Sequence, residues 1–160
     1  MRDLSKLVEK IIPYPANREN RDGFNNEPLI DNLTTDERDQ VENLLIDKLS
    51  IEPGDLLIVE TLGYMKSKKS IDILNSLLTL EREPGNKIII ASSIYQIDPN
   101  EKLIDIALTA GSSLTNWYDL VPIFYYLTKF KNKRTQDFIS QFTDHKDYLV
   151  SYNAKQYVRL

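Results

Sequence analysis

Two four-residue stretches, Glu52-Pro53-Gly54-Asp55 and Glu83-Pro84-Gly85-Asn86, punctuate this chain. Proline and glycine end whatever precedes them, and the Asp or Asn at the fourth position can cap a new helix. The same local signal therefore recurs at equivalent places, and the residues after each copy also match. Leu56 to Met65 and Lys87 to Ile97 align at a shift of 32, pairing Val59 with Ala91, Leu62 with Ile94 and Met65 with Ile97. The same alignment sets Glu60-Thr61 against Ser92-Ser93, on what reads as the solvent side. A polar break comes next in both, Lys66 to Ser70 and Asp98-Pro99-Asn100, and then Ile71-Asp72-Ile73-Leu74 meets Ile104-Asp105-Ile106-Ala107. Each unit is thus a pair of antiparallel helices. No such unit can bury its own apolar faces, so units must stack and share a continuous core. The expected fold class is all-α, an α-α superhelix of antiparallel helix pairs.

The flanks extend this pattern into a single domain over residues 1–160. Leu4, Leu7, Val8, Ile11 and Ile12 form one apolar helical stripe that Pro13 stops, giving an amino-terminal helix over 1–12. Residues 13–33, rich in Asn and containing Asp22-Gly23, read as a long loop that straps the surface; Arg18, Glu19, Arg21 and Asp22 are its reactive-looking members, without catalytic spacing. Thr34 and Glu37 make a capping box that opens a helix with Val41, Leu44, Leu45 and Leu49 on one face, and helical repeats are expected over 34–160. Asn116 can cap a helix running through Leu120, Val121, Phe124, Leu127 and Phe130. After the break at Lys131 to Arg134, Phe138, Ile139 and Phe142 mark its partner, and Asp144 to Leu160 restart the pattern. That last helix has apolar residues on several sides, so it reads either as a lid on Phe138 and Phe142 or as a surface for another chain.

A helical-pair period of about 31 to 33 residues, together with three local features, resembles the HEAT-like repeat family in its short bacterial form. The features are Leu62-Gly63 ending a first helix, Pro122 inside another first helix, and Asp147-Tyr148-Leu149-Val150 leading to Ala154. The resemblance covers about residues 35–160 and implies a HEAT-like solenoid with a concave binding face. Ser151 stands where that family usually has an arginine, which removes the intra-repeat salt bridge the family would imply.

Enzyme chemistry finds little to work with. The chain has no cysteine, which excludes thiolate nucleophiles and cysteine-based zinc sites, and its five glycines include no phosphate-binding loop. His145 is the sole histidine and reads as a surface residue beside Asp144; Asp72 and Asp105 are paired by the repeat itself. No catalytic residue, metal site or cofactor is expected. The apolar runs are too short to span a bilayer, and Asp3 and Glu9 lie where a secretory signal would be basic, so a cytoplasmic location is expected.

Charge and aromatics are distributed unevenly. Residues 1–110 hold 13 basic and 20 acidic side chains, whereas Lys129, Lys131, Lys133, Arg134, Lys146, Lys155 and Arg159 outnumber Asp119, Asp137, Asp144 and Asp147 in the remainder. Eleven of the fifteen aromatic residues also lie after residue 111. Tyrosine and tryptophan dominate interface hot spots because they offer large area with few rotors. Trp117, Tyr118, Tyr125, Tyr126, Lys131, Lys133, Arg134 and Tyr152 are accordingly the expected partner-binding residues. The expected function is a non-enzymatic protein-interaction module, an adaptor or an inhibitor such as a bacterial immunity protein, with another protein, acidic in character, as partner. One alternative is a nucleic-acid-binding enzyme resembling the HEAT-like alkylpurine DNA glycosylases, against which the net charge of −4 counts. The other is a structural subunit that forms a homo-oligomer through its carboxy-terminal helix.

Overall fold

The computed structural model describes residues 2–158, and among these it is all-helical, without a strand. Arg159 and Leu160, which belong to the basic end and to the last helix by sequence, lie outside the described residues. The helices are α1 (Leu4–Ile11), α2 (Arg18–Arg21), α3 (Glu27–Asp31), α4 (Thr35–Ile51), α5 (Leu56–Tyr64), α6 (Ile71–Leu80), α7 (Pro84–Ile97), α8 (Glu101–Ser112), α9 (Trp117–Thr128), α10 (Lys133–Ser140) and α11 (Tyr148–Val158). None of them is long and apolar enough to cross a membrane.

Local chemistry accounts for most boundaries. The Thr34–Glu37 capping box forms reciprocally, Thr34 Oγ1 accepting from the Glu37 amide and Glu37 accepting from that of Thr34. Asp55, Asn100 and Asn132 cap α5, α8 and α10 through their side chains. Lys66 and Lys131, each just past a helix end, take positive φ and turn the chain toward the next helix. The two tetrads part company here. Glu52 to Asp55 is a turn, whereas α7 begins at Pro84, with Glu83 at the cap position and Asn86 already inside the helix. Proline suits the first helical position because its φ is preset and its missing N–H is one the helix leaves unpaired anyway.

The matched apolar positions are all core: Val59, Leu62 and Met65, and Ala91, Ile94 and Ile97, are buried. The polar positions between them differ from expectation. Thr61, Ser92 and Ser93 are buried too, which small hydroxyl side chains tolerate because each returns a hydrogen bond to its own helix: Thr61 to the Leu57 carbonyl, Ser92 and Ser93 to that of Ile89. Their small size lets α5 and α7 approach closely, with Gly63 lying directly on the Ser93 backbone. Packing then runs from α5 to α7, from α7 to α9 and from α9 to α11, while α6 and α8 flank α7, and α10 joins α8, α9 and α11. The last helix, α11, lies along α9 and α10.

Residues 13–33 are not one uninterrupted loop, since α2 and α3 fall within them. Asn17 caps α2 by accepting the Asn20 amide, and Pro28 lies in the first turn of α3. The segment is tied down along its length. Arg21 forks onto Asp55 at 2.6 and 2.9 Å and donates to the Pro13 carbonyl. The buried Asn26 donates to the Ile11 carbonyl and to Thr61 Oγ1, and Tyr64 donates to Asp31. It therefore straps the end of α1 to α5.

Candidate functional site

Two helices that are not neighbours in sequence meet at one place. Along α5, Leu57, Glu60, Thr61 and Tyr64 fall at i, i+3, i+4 and i+7 and so share one stripe. Tyr125 and Tyr126 of α9, with Lys129 at the helix's C-cap, form a second stripe. Both helices pack on α7, yet their side chains meet beside it: Lys129 Nζ stands 3.9 Å from Glu60 Oε1, with the two side chains 18% and 23% exposed. The ammonium also lies 4.8 Å from the Tyr125 ring centre and 5.4 Å from that of Tyr126, within cation–π range.

The strap completes the wall. Between it, α5 and α9 opens a cleft of ≈ 580 Å³, lined chiefly by Arg21, Phe24, Asp55, Leu57, Tyr125 and Tyr126, with Glu60 at its side. A smaller recess continues past Glu60 and Tyr125 to Asn26, Glu27, Tyr64 and Lys129. A groove of ≈ 420 Å³ between α6 and α8, walled by Ile71, Leu78, Ile94, Leu103 and Ile106, is of similar size, but among the described residues no ion pair enters it.

Electrostatics set the α5–α9 cleft apart. Burial pushes the Glu60 carboxyl upward, against the pull of Lys129 and of Tyr126. Burial likewise pushes the Lys129 ammonium down, against the attraction of Glu60 and Glu27. The phenols of Tyr126 and Tyr125 rise, again from burial first and then from the carboxylates facing them. At the other shifted groups, Arg2, Glu37, Tyr64, Lys69 and Arg134, a surface hydrogen bond leads instead. Clusters of desolvated, mutually facing ionisable groups in a cleft are candidates for functional sites, a pattern that structural ion pairs share. Among the described residues no three histidine or carboxylate side chains converge as metal ligands would.

The eight residues expected at the partner site fall in separate places. Tyr125 and Tyr126 enter the cleft, Tyr125 also meeting Tyr157 of α11. Trp117 and Tyr118 pack edge to face, exposed, at the start of α9, and Tyr152 stacks on Tyr148, exposed on α11. Lys133 pairs with Asp137 within α10, and Arg134 bridges Glu101 and Asp105 of α8. Lys131 is exposed at its positive-φ turn and is not part of the cleft. His145 is half-buried rather than fully exposed: its Nδ1 accepts the Asp147 amide and its ring lies against Phe142. Spacing alone does not single out Glu60, Lys129 or Phe24. The only sequence signals toward the cleft are the polar cluster around Arg21 and the pair Tyr125-Tyr126. Compared with models of protein families, with curated proteins and with solved structures, the chain gives no match.

Proposed function

We propose that the protein is a non-enzymatic interaction module, a HEAT-like superhelical stack in which α5, α7, α9 and α11 form one layer and α4, α6, α8 and α10 the other. A partner protein inserts a segment into the cleft between the strap, α5 and α9. The observation that carries this is the make-up of the cleft: tyrosine faces on α9, the half-buried Phe24 and a desolvated ion pair, the side-chain types on which protein interfaces concentrate their energy. The successive packing of α5, α7, α9 and α11 supports the layered arrangement. Such a module serves as an adaptor or as an inhibitor that occludes its target.

The test is site-directed photo-cross-linking in the host cell, with a benzophenone side chain placed at Leu57 or, separately, at Tyr152. A discrete protein adduct from position 57 is expected. Adducts from position 152 alone would move the site to the exposed aromatics of α11.

A second reading draws on Lys129 between Tyr125 and Tyr126, an arrangement that could stack a nucleobase and meet a phosphate. Glu27, Asp55 and Glu60 around the same cleft oppose a polyanion. Titration with duplex and single-stranded DNA at moderate salt decides it, and tight binding in the absence of any protein adduct would favour the nucleic-acid enzyme.

A further inference from the structure

If the cleft is the protein-binding site proposed for this chain, its charge arrangement narrows the chemistry of what enters. Asp55 is closed. Arg21 occupies both of its carboxylate oxygens, and Asp55 also accepts the Leu57 amide. Glu60 is not closed, because its nearest cation stands 3.9 Å away, beyond hydrogen-bond reach, and its remaining neighbour is the Tyr126 phenol. A carboxylate offers about four acceptor positions, so most of the Glu60 capacity is left toward the cleft. Glu27 adds a second negative charge that reaches Lys129 and Tyr125. Two carboxylates thus face one ammonium, and the Glu60 and Lys129 side chains are largely withdrawn from water.

The walls suit a flat cation. Tyr125 and Tyr126 already hold the Lys129 ammonium near their ring faces, and Phe24 lines both the cleft and its recess. Guanidinium stacks on such faces, forks onto a carboxylate and is more weakly hydrated than ammonium, so it enters a desolvated cleft at lower cost. The Arg21–Asp55 pair in the same cleft shows the fork onto a carboxylate already realised once. An anionic group would meet Glu27 and Glu60, while Arg21 and Lys129, the cations that line the cleft and its recess among the described residues, are already engaged with Asp55 and Glu60.

We infer that the cleft receives an arginine side chain of the partner, its guanidinium stacked on Tyr125 and paired with Glu60. Lys129 is then an internal competitor, a resident cation that the incoming arginine displaces from the Glu60 carboxylate.

The experiment uses the full chain, isotopically labelled, with the ring resonances of Phe24, Tyr125 and Tyr126 as reporters. The probes are the capped pentapeptide Ala-Ala-Arg-Ala-Ala, its counterpart with citrulline in place of arginine, and free agmatine. Saturable shifts confined to the cleft are expected with the arginine peptide, and the uncharged citrulline peptide should bind at least about tenfold more weakly, the worth of one charged hydrogen bond. Glu60→Gln should weaken binding of the arginine peptide by a similar factor, and Lys129→Met should strengthen it. Because a damaged fold cannot improve affinity, that opposition separates recognition from misfolding. Equal binding of arginine and citrulline peptides, or weakening by both substitutions, would overturn the inference. Agmatine binding as tightly as the peptide would also overturn it, marking a small-cation site in place of a partner's side chain. A cross-link at position 57 without any arginine-dependent shift would leave the interaction module standing and remove only the arginine.

Discussion

Gly63 offers the sharpest test of how the helices are packed. A Cβ added there would lie 2.9 Å from both the Cα and the Cβ of Ser93 and 3.1 Å from its carbonyl oxygen. Two effects of Gly63→Ala oppose each other. Alanine gains about 1 kcal/mol of helix propensity over glycine in α5. Against that, the obstructing atoms belong mainly to the α7 backbone and cannot rotate away, so α5 and α7 must separate by about 0.5 Å. That separation loosens the contacts of Val59, Leu62, Ala91 and Ile94, all buried, and overpacking of this kind costs about 1–3 kcal/mol. Steric cost should win, with a net loss of about 1–2 kcal/mol. Helical circular dichroism followed through a urea titration should show a midpoint lower by roughly 0.5–1 M with an unchanged slope. Gly54→Ala is the control, because nothing lies within 4 Å of a Cβ there; its effect should stay within about 0.5 kcal/mol. A Gly63→Ala midpoint at or above that of the parent chain would refute the close α5–α7 crossing.

Leu74→Ala, at a fully buried side chain, should cost about 2–5 kcal/mol, whereas Leu80→Ala, at a residue 76% exposed on the same helix, should cost under about 0.5 kcal/mol in the same titration. Arg21→Ala leaves the Asp55 carboxylate, 5% exposed, without its partner, and limited trypsin digestion should then cut at Arg18 much faster while α7 to α9 stay intact. The pH dependence of stability should carry two opposite contributions. Glu37 is held down to about 2, first by its hydrogen bond from Arg2, so its contribution is present above its ordinary value of 4.5 and is lost as pH falls toward about 2; Glu37→Gln should flatten that limb. Glu60 is raised by burial, so its effect has the other sign: stability present below 4.5 falls as pH rises through its elevated value, and Glu60→Gln should remove that fall.

Apolar spacing makes the helical pairs legible, because a core position must be apolar whichever neighbour covers it. Val59, Leu62 and Met65 therefore agree with Ala91, Ile94 and Ile97, and all six are buried together. Thr61, Ser92 and Ser93 are not legible as core, since hydropathy counts a hydroxyl as polar even when the preceding turn of the same helix supplies its hydrogen-bond partner. Yet those small side chains let α5 and α7 come together, and with α9 packed on α7 as well, Glu60 lies 3.9 Å from Lys129 at the end of α9. Pro84 reads as a stop by analogy with Pro53, although proline fits equally well as a beginning; only the residues around it decide which.

Charge is the least legible property, and the reason lies in the packing. Counting by segment makes the region after residue 111 a basic surface, but side chains on packed neighbours cancel locally. Arg134 lies between Glu101 and Asp105, Lys133 beside Asp137, and Lys129 beside Glu60. A cation paired in this way has little field left for a distant acidic partner. Another excess lies elsewhere: Glu27 comes from the strap to join Glu60, and Lys129 answers both. Neither the strap nor α5 belongs to the basic segment, so no local count could have located the excess. Because this remainder is negative and lies beside aromatic rings, the partner proposed here is one that brings a cation into the cleft, a different chemistry from the acidic partner that the count by segment suggests.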